Sequence, residues 1–286
     1  MSTLEKTPIN SNRADTWDNV RPLQQYEFDK FKKLLFEISG IHLSDAKVPL
    51  VSGRLLKQVR QHGLTTYEQY FDIIANDQIP GERQVMLNLL TTNETYFFRE
   101  SLHFDFLKST ILPQYSYTGT PFRVWSAASS SGEEAYTIAM TLASELQMRP
   151  WEIVGSDLNM DVLQRASMGV YPAEESAKLP PGYLGKFCLR GEGSQAGNFR
   201  IRSKLRERVN FYQVNLNQTL PDLGMFDVIF LRNVMIYFQD ETKAQVVARL
   251  IERLKPGGYF IIGRSETIAR LTSAVELLQP SIYRKV

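Results

Sequence analysis

The sequence predicts an α/β fold of the Rossmann-like class with a small β-hairpin insertion, preceded by an all-helical N-terminal domain. Three observations carry that reading. Residues 122–140, FRVWSAASSSGEEAYTIAM, pass from a short apolar β segment through a loop of small residues into a helix-like stretch. This is the opening unit of a nucleotide-binding sheet. From Pro121 onward strand-like and helix-like stretches alternate, which implies a parallel sheet with right-handed crossovers. Before that, from Tyr26 to about Leu90, the apolar spacing is helical and no strand pattern appears.

Size and composition are compatible with this. The 286 residues suffice for one large or two medium domains with a substantial core. Apolar residues make up 43% and charged residues 22%, ordinary for a soluble globular chain. The formal charge of +2 gives no support to a whole-protein nucleic-acid binder and leaves room for a local basic face. Cys188 is the single cysteine, so no intrachain disulfide forms and a cytoplasmic location is expected. His42, His62 and His103 are scattered, and no metal site is expected. The apolar stretch 226–238 is interrupted by Arg232 and is too short to span a bilayer, so no membrane insertion is expected.

Taken in order, residues 1–20 are polar without apolar period and read as a mobile arm. A helical domain follows over 21–90. Phe28, Phe31, Leu34, Leu35 and Ile38 fall at helical spacing and Gly40 supplies a stop; further helices are expected at about 44–62, from about Thr66, and from about Gly81. Residues 91–120 connect this domain to the α/β domain, 121–286. There, strands are expected at 122–125, 152–156, 209–213, 226–231, 259–263 and 282–285, and helices at about 133–147, 159–168, 241–254 and 265–271. One stretch, 170–208, breaks the alternation. Its β-like runs 186–190 and 198–202 flank a glycine-rich connection, a hairpin signature inside an insertion.

Five segments carry candidate chemistry. In the first loop, 126–132, small side chains permit close backbone approach to a ligand. Glu133 and Glu134 would repel a phosphate there, and suit a cofactor with hydroxyls and a positive centre, such as S-adenosylmethionine (AdoMet). IVGSDLN at 153–159 ends a strand in Asp157, positioned for ribose hydroxyls, although such an Asp also caps helices. NFYQVNLNQTLP at 210–221 ends a strand at Asn215 and Leu216, beside the place an adenine takes in such sheets. FDVIFLRNVMIYF at 226–238 runs a buried strand into Arg232 and Asn233, then an apolar turn with Tyr237. LTTNETYFFRE at 90–100 joins a polar cluster to aromatics and Arg99; composition alone permits a simple capped helix start.

Together these segments resemble the CheR-type chemoreceptor methyltransferases, which methylate glutamate side chains with AdoMet. The matching stretches are LTTNETYFFRE, VWSAASSSGEEAYTIAM, SDLNMDVLQRA, FDVIFLRNVMIYF and LKPGGYFIIGRSE, and the resemblance extends from about Tyr26 to Tyr283. The usual glycine-rich first motif of methyltransferases is here Ala127, Ala128, Ser129, Ser130, Ser131 and Gly132, which this family tolerates.

The resemblance implies roles. Asn93, Thr95 and Arg99 match positions lining the cofactor site, Glu134 a cofactor-contacting carboxylate, and Asp157 the ribose ligand. Asn215, Leu216, Asn233 and Val234 match the remaining cofactor contacts, and Arg99 and Tyr237 the pair beside the transferred methyl. The product would be S-adenosylhomocysteine (AdoHcy). Glutamate, with a pKa of about 4.3, is already a nucleophile at neutral pH, so no general base is required. Arg54, Lys57 and Arg60 recur at three-residue spacing with Lys47 upstream. The resemblance implies that this basic face meets the glutamate-rich cytoplasmic helices of methyl-accepting chemotaxis receptors. It also implies that the insertion can hold a receptor's C-terminal peptide. A monomer recruited to receptor clusters is expected. Two other readings stand beside this one: an AdoMet-dependent methyltransferase for a small molecule or RNA, and a non-catalytic AdoMet-responsive module. The absence of the Asn/Asp-Pro-Pro-aromatic turn of amine methyltransferases counts against methylation of bases.

Overall fold

A computed structural model describes residues 19–116, 119–147 and 149–286. Most of the stretch 1–20, expected as an arm, lies outside the described residues. Two compact units are formed, one from Leu43–Leu90 with the chain up to Leu35, the other from Phe36–His42 and Thr91–Val286.

The first unit is helical. Its helices are α1 (Gln25–Ser39, up to Leu35), α2 (Val48–Gln61), α3 (Tyr67–Ala75) and α4 (Glu82–Leu90). Val51, Leu55 and Val59 on α2 recur every four residues and are fully buried with Phe28, Phe31, Leu35 and Tyr70. Each such side chain contributes on the order of 1.5–3 kcal/mol by leaving water. Thr66 and Gln69 form a reciprocal capping box that starts α3.

The second unit opens with α5 (Leu102–Phe106), a wide turn over Leu107–Ile111, and α6 (Leu112–Gln114). The chain then runs β1 (Phe122–Ala127), α7 (Glu133–Glu145), β2 (Trp151–Asp157), α8 (Met160–Met168), β3 (Val170–Pro172), α9 (Tyr183–Phe187), β4 (Cys188–Arg190), β5 (Asn198–Ile201) and α10 (Ser203–Arg206). It closes with β6 (Val209–Gln213), β7 (Phe226–Leu231), α11 (Asp240–Glu252), β8 (Leu254–Ile262), β9 (Val275–Gln279) and β10 (Ile282–Lys285).

Seven strands form one sheet in the order β6-β2-β1-β7-β8-β10-β9. The pairings from β6 to β8 are parallel, and β10 is antiparallel to both its neighbours. From β1 the chain first winds outward through β2 to β6, then returns to β7 and winds the other way. The order reverses between β1 and β7, and ligands of such sheets sit outside the strand ends at that switch point. β1 and β7 are covered on both faces by helices, so their side chains are almost all buried.

The sheet is the Rossmann-like one expected, with three local differences. Residues 265–271 form turns instead of a helix. Glu266 takes the backbone N–H of Gly263 with its side chain, a local bond that competes with helix formation. The edge strand β9 was not expected, because only its first residue is buried and no alternation shows in the sequence. In the insertion, 183–187 closes as a helical turn, so the first hairpin strand begins at Cys188, not Lys186. The hairpin gains β3 as a third strand, in the antiparallel order β3-β5-β4. That addition supplies the support an isolated hairpin lacks.

Candidate active site

The candidate residues of the second unit collect at the carboxyl ends of β1, β2, β6 and β7. The loop after β1 takes left-handed backbone at Ala128 (φ 67°), Ser130 (φ 50°) and Gly132 (φ 95°). At Gly132 a β-carbon would stand 2.8 Å from that of Ala166, so this position requires glycine on two counts. The loop is laced to β2: Ser129 N–H donates to the Ser156 carbonyl (2.7 Å) and Ser130 N–H to Asp157 Oδ2 (2.9 Å). The N–H of Asn159 donates to Asp157 Oδ1 (3.0 Å). Burial pushes the Asp157 carboxyl up, against the pull of the Asn159, Ser130 and Leu158 N–H groups.

The segment 91–100 is tied to the same loop. Ser130 Oγ donates to the Asn93 carbonyl (2.8 Å), and the side-chain amides of Asn93 and Asn159 both donate to Thr91 Oγ1 (3.1 and 2.8 Å). Thr95 is half-buried in this segment. Arg99 folds back on its own chain, donating to the Glu94 carbonyl (2.8 Å) with its guanidinium 5.7 Å from the centre of the Tyr96 ring.

A buried ionic network joins this segment to α7 and β7. Glu134 Oε1 accepts from Ser126 Oγ (2.7 Å), and its Oε2 accepts from Arg232 (2.9 Å). Arg232 also donates to Glu100 Oε2 (3.1 Å) and to the Arg99 carbonyl. Glu100 takes the Asn233 side-chain amide (3.3 Å) and the Arg264 N–H (3.2 Å) as well. Burial raises the Glu100 carboxyl, but Arg232, Asn233 and Arg264 outweigh it and hold the group below its usual range. The sequence reading gave no role to Arg232 or Glu100. An arginine inside an otherwise apolar strand end was the available signal, since such a charge must be paired.

Asn233 (φ 57°) turns the chain after β7 into the 3-10 turn Met235–Tyr237, which presents Tyr237. The Asn233 and Met235 N–H groups donate to Glu266 at 3.0 and 2.8 Å, another residue left without a role. Val234 packs against the core on this side of the sheet. After β6, Val214 N–H donates to the Asp157 carbonyl (3.0 Å). The Asn215 side chain is committed to the fold: it donates to the Ile38 carbonyl (2.7 Å) and accepts from the Asn217 N–H (3.0 Å). Leu216 is buried and its carbonyl accepts from Arg249 (2.8 Å).

The basic candidates belong to the first unit. Lys47 and Lys57 are exposed, whereas Arg54 and Arg60 are half-buried. Arg54 donates to the Leu89 carbonyl at the end of α4 (3.1 Å).

The donor set fits AdoMet. The Asp157 carboxylate stands at the end of the interior strand β2 beside a loop of small residues. Glu134 keeps acceptor capacity beyond its two bonds, since a carboxylate offers about four lone-pair sites. Among the described residues no helix is long and apolar enough to cross a membrane, and no cluster of side chains could hold a metal ion.

Comparison with known proteins agrees with this geometry. Residues 26–91 match the family profile described as the CheR methyltransferase all-alpha domain, and residues 93–283 the CheR methyltransferase SAM binding domain. A chemotaxis protein methyltransferase of Escherichia coli K12 is 38% identical over 266 residues, covering 91% of each chain. Chemotaxis protein methyltransferase 2 of Pseudomonas aeruginosa is 38% identical over 260 residues, 90% of this chain and 92% of the relative. That of Borreliella burgdorferi is 34% identical over 271 residues, 91% of this chain and 94% of the relative. Both profiles match in chain order, the relatives align almost end to end, and the strand ends carry an AdoMet-type donor set: the chain belongs to the CheR methyltransferase family and is an AdoMet-dependent methyltransferase of chemotaxis.

Proposed function

We propose that the protein transfers the methyl group of AdoMet to glutamate side chains of methyl-accepting chemotaxis receptors, forming glutamate methyl esters. AdoMet, when bound, supplies a methyl group made electrophilic by a sulfonium. The observation that carries the reading is a site whose buried carboxylates are already engaged: Glu134 and Glu100 pair with Arg232, and Asp157 and Glu266 accept backbone N–H groups. Two histidines lie near it: His42, whose N–H donates to the Tyr237 carbonyl (2.8 Å) and whose Nδ1 is 3.2 Å from Gln239 Nε2, and His103, which is buried and hydrogen-bonded to Ser281 Oγ (2.7 Å). Burial and the neighbouring Arg232 push the pKa of His103 down to about 4, so at neutral pH it is an uncharged part of the fold. A glutamate acceptor is already ionised at neutral pH and needs no proton removed. Amine or hydroxyl acceptors carry a proton that must go somewhere.

In this reading Asp157 holds the ribose hydroxyls, with Asn93 and Thr95 alongside. Glu134 faces the cationic end of the cofactor, and Asn215, Leu216, Asn233 and Val234 complete its surround. The Asn215 amide is fixed by its bonds to Ile38 and Asn217, which hold this strand end in place beside the adenine. Tyr237 orients one oxygen of the acceptor carboxylate. Arg99 holds either that carboxylate or the carboxyl of AdoMet by charge-assisted bonds. The reaction converts an anion and a cation into neutral products, so exclusion of water and in-line alignment accelerate it.

The basic positions Lys47, Arg54, Lys57 and Arg60 serve as the face for the acidic receptor helices. The edges of the three-stranded subdomain accept a receptor's C-terminal peptide by strand addition. The enzyme works as a cytoplasmic monomer at receptor clusters. The experiment is transfer of labelled methyl from AdoMet onto receptor-containing membranes, followed by mild base. Base-labile label on receptor supports the proposal; base-stable label, label on RNA or small molecules, or no transfer contradicts it.

A further inference from the structure

The turn after β7 rests on one buried carboxylate. Glu266 Oε2 accepts from the N–H groups of Gly263 (2.8 Å) and Asn233 (3.0 Å), and Oε1 from the Met235 N–H (2.8 Å). The Ile236 N–H also points to it. Three of these four donors lie on residues 233–236, directly before Tyr237. The approach is close on every side. A β-carbon on Gly263 would stand 2.8 Å from both Glu266 Oε2 and Asn233 Nδ2, so glycine is needed for the carboxylate to reach the turn.

The 3-10 turn Met235–Tyr237 has only a short run of its own bonds, Tyr237 N–H to the Val234 carbonyl (3.1 Å) and Phe238 N–H to the Met235 carbonyl (3.0 Å), and its far end is tied by the His42 N–H to the Tyr237 carbonyl (2.8 Å). It follows Asn233, a non-glycine residue in the left-handed region (φ 57°), a conformation of order 1–3 kcal/mol above the ordinary one that persists only where its surroundings fix it. Two carboxylates do so: Glu100 takes the Asn233 side-chain amide, and Glu266 takes the backbone of the turn itself. No cation pairs with Glu266 among the described residues; its partners are backbone N–H groups, gathered in the manner of an anion-binding nest. Burial pushes its carboxyl up and the four N–H groups pull against that.

We infer that Glu266 is a positioning residue of the methyl-transfer site, its carboxylate fixing the 233–237 turn and so setting where the Tyr237 hydroxyl stands. The inference rests on the role proposed for Tyr237. Displacements of about 1 Å in such a group cost around a hundredfold in rate, which is why a buried charge is tolerable here. Glutamine in place of Glu266 keeps the shape, but its amide NH₂ faces backbone donors where an acceptor is needed.

The test compares Glu266→Gln, Tyr237→Phe and the double variant, at saturating AdoMet, with receptor-containing membranes as acceptor. Glu266→Gln is expected to lower kcat at least tenfold, with the receptor KM within threefold of wild type. AdoHcy affinity by calorimetry should fall by a smaller factor than kcat. In the Tyr237→Phe background, Glu266→Gln should lower kcat by less than threefold more, because both changes act on one group. Glu266→Asp keeps the charge but withdraws it by one methylene; it serves if the glutamine variant does not melt cooperatively, and should also be slowed at least tenfold. A normal kcat in either Glu266 variant, fully multiplicative losses, or a larger loss in AdoHcy affinity than in kcat overturns the positioning role alone. A Tyr237→Phe enzyme at full speed instead overturns the role proposed for Tyr237, and that of Glu266 with it.

Discussion

Arg232 and Glu134 form an ion pair at 2.9 Å with 2% and 11% of their side chains exposed, at the switch point of the sheet. The pair joins the end of β7 to the first turn of α7. Through Glu100 and the Arg99 carbonyl the same guanidinium reaches the segment before α5. One residue thus holds together three pieces of chain that carry proposed site residues.

Removing one partner of a buried pair strands the other charge. Arg232→Ala is expected to destabilise the protein by about 3–5 kcal/mol, since it leaves both Glu134 and Glu100 without their cation. Urea unfolding checks this. A loss under about 1 kcal/mol, the range of surface pairs, would mean that water reaches these carboxylates.

Asp157→Ala should weaken AdoHcy binding by roughly 1.5–3 kcal/mol, the range for hydrogen bonds to charged groups. Its raised pKa has a further consequence for the free enzyme. In the pH range between the unfolded and folded values the native state binds more protons, so this group's contribution to stability falls as pH rises. Asp157→Asn should therefore remove this pH dependence while weakening binding, its amide NH₂ leaving either the Ser130 or the Asn159 N–H without an acceptor. Calorimetry and thermal melting on the same samples read both effects, and unchanged affinity removes Asp157 from the site.

His103 gives the opposite slope. Its pKa falls from 6.5 unfolded to about 4 folded, so the unfolded state binds the extra proton. Stability from this group is present above the unfolded value and is lost on acidification toward about pH 4, on the order of 3 kcal/mol in full. His103→Gln, which retains a partner for Ser281, should flatten that part of the stability profile. Urea midpoints at about pH 5 and about pH 7 measure it; an equal acid loss in the variant would assign the loss to other groups.

Charge reversal at Lys47 and Lys57 tests the receptor face without disturbing Arg54, which is bonded to the Leu89 carbonyl. The double variant should methylate receptor more slowly and with less salt sensitivity, because exposed charges act over about 10 Å at 0.1 M salt. AdoHcy affinity should not move. Wild-type kinetics at low salt would leave the two lysines as solvated surface.

Much of this was legible in the residues themselves. The helices of the first unit and the strands β1, β2, β6, β7 and β8 follow apolar periodicities strong enough to read, and Asp157 and Glu134 stand where strand and helix boundaries put them. What escaped was non-local or shallow. β9 is an edge strand with little buried surface, so it leaves no alternation. The bonds from Glu100 and Glu266 to the 233–235 turn span 31–133 residues of sequence, and no spacing rule connects such positions. Arg54 looked like one member of a uniform basic stripe, yet it caps the end of α4, which only the packing of α2 on α4 reveals.

The central claim is the chemical identity of the acceptor, and the most direct measurement is peptide mapping by mass spectrometry of receptor methylated by this enzyme. The expected result is a methyl-sized mass increment on glutamate side chains of the receptor's cytoplasmic helices, removed by mild base and absent when AdoMet is withheld. A methyl group on lysine, arginine, the chain terminus or no receptor residue at all would contradict the account.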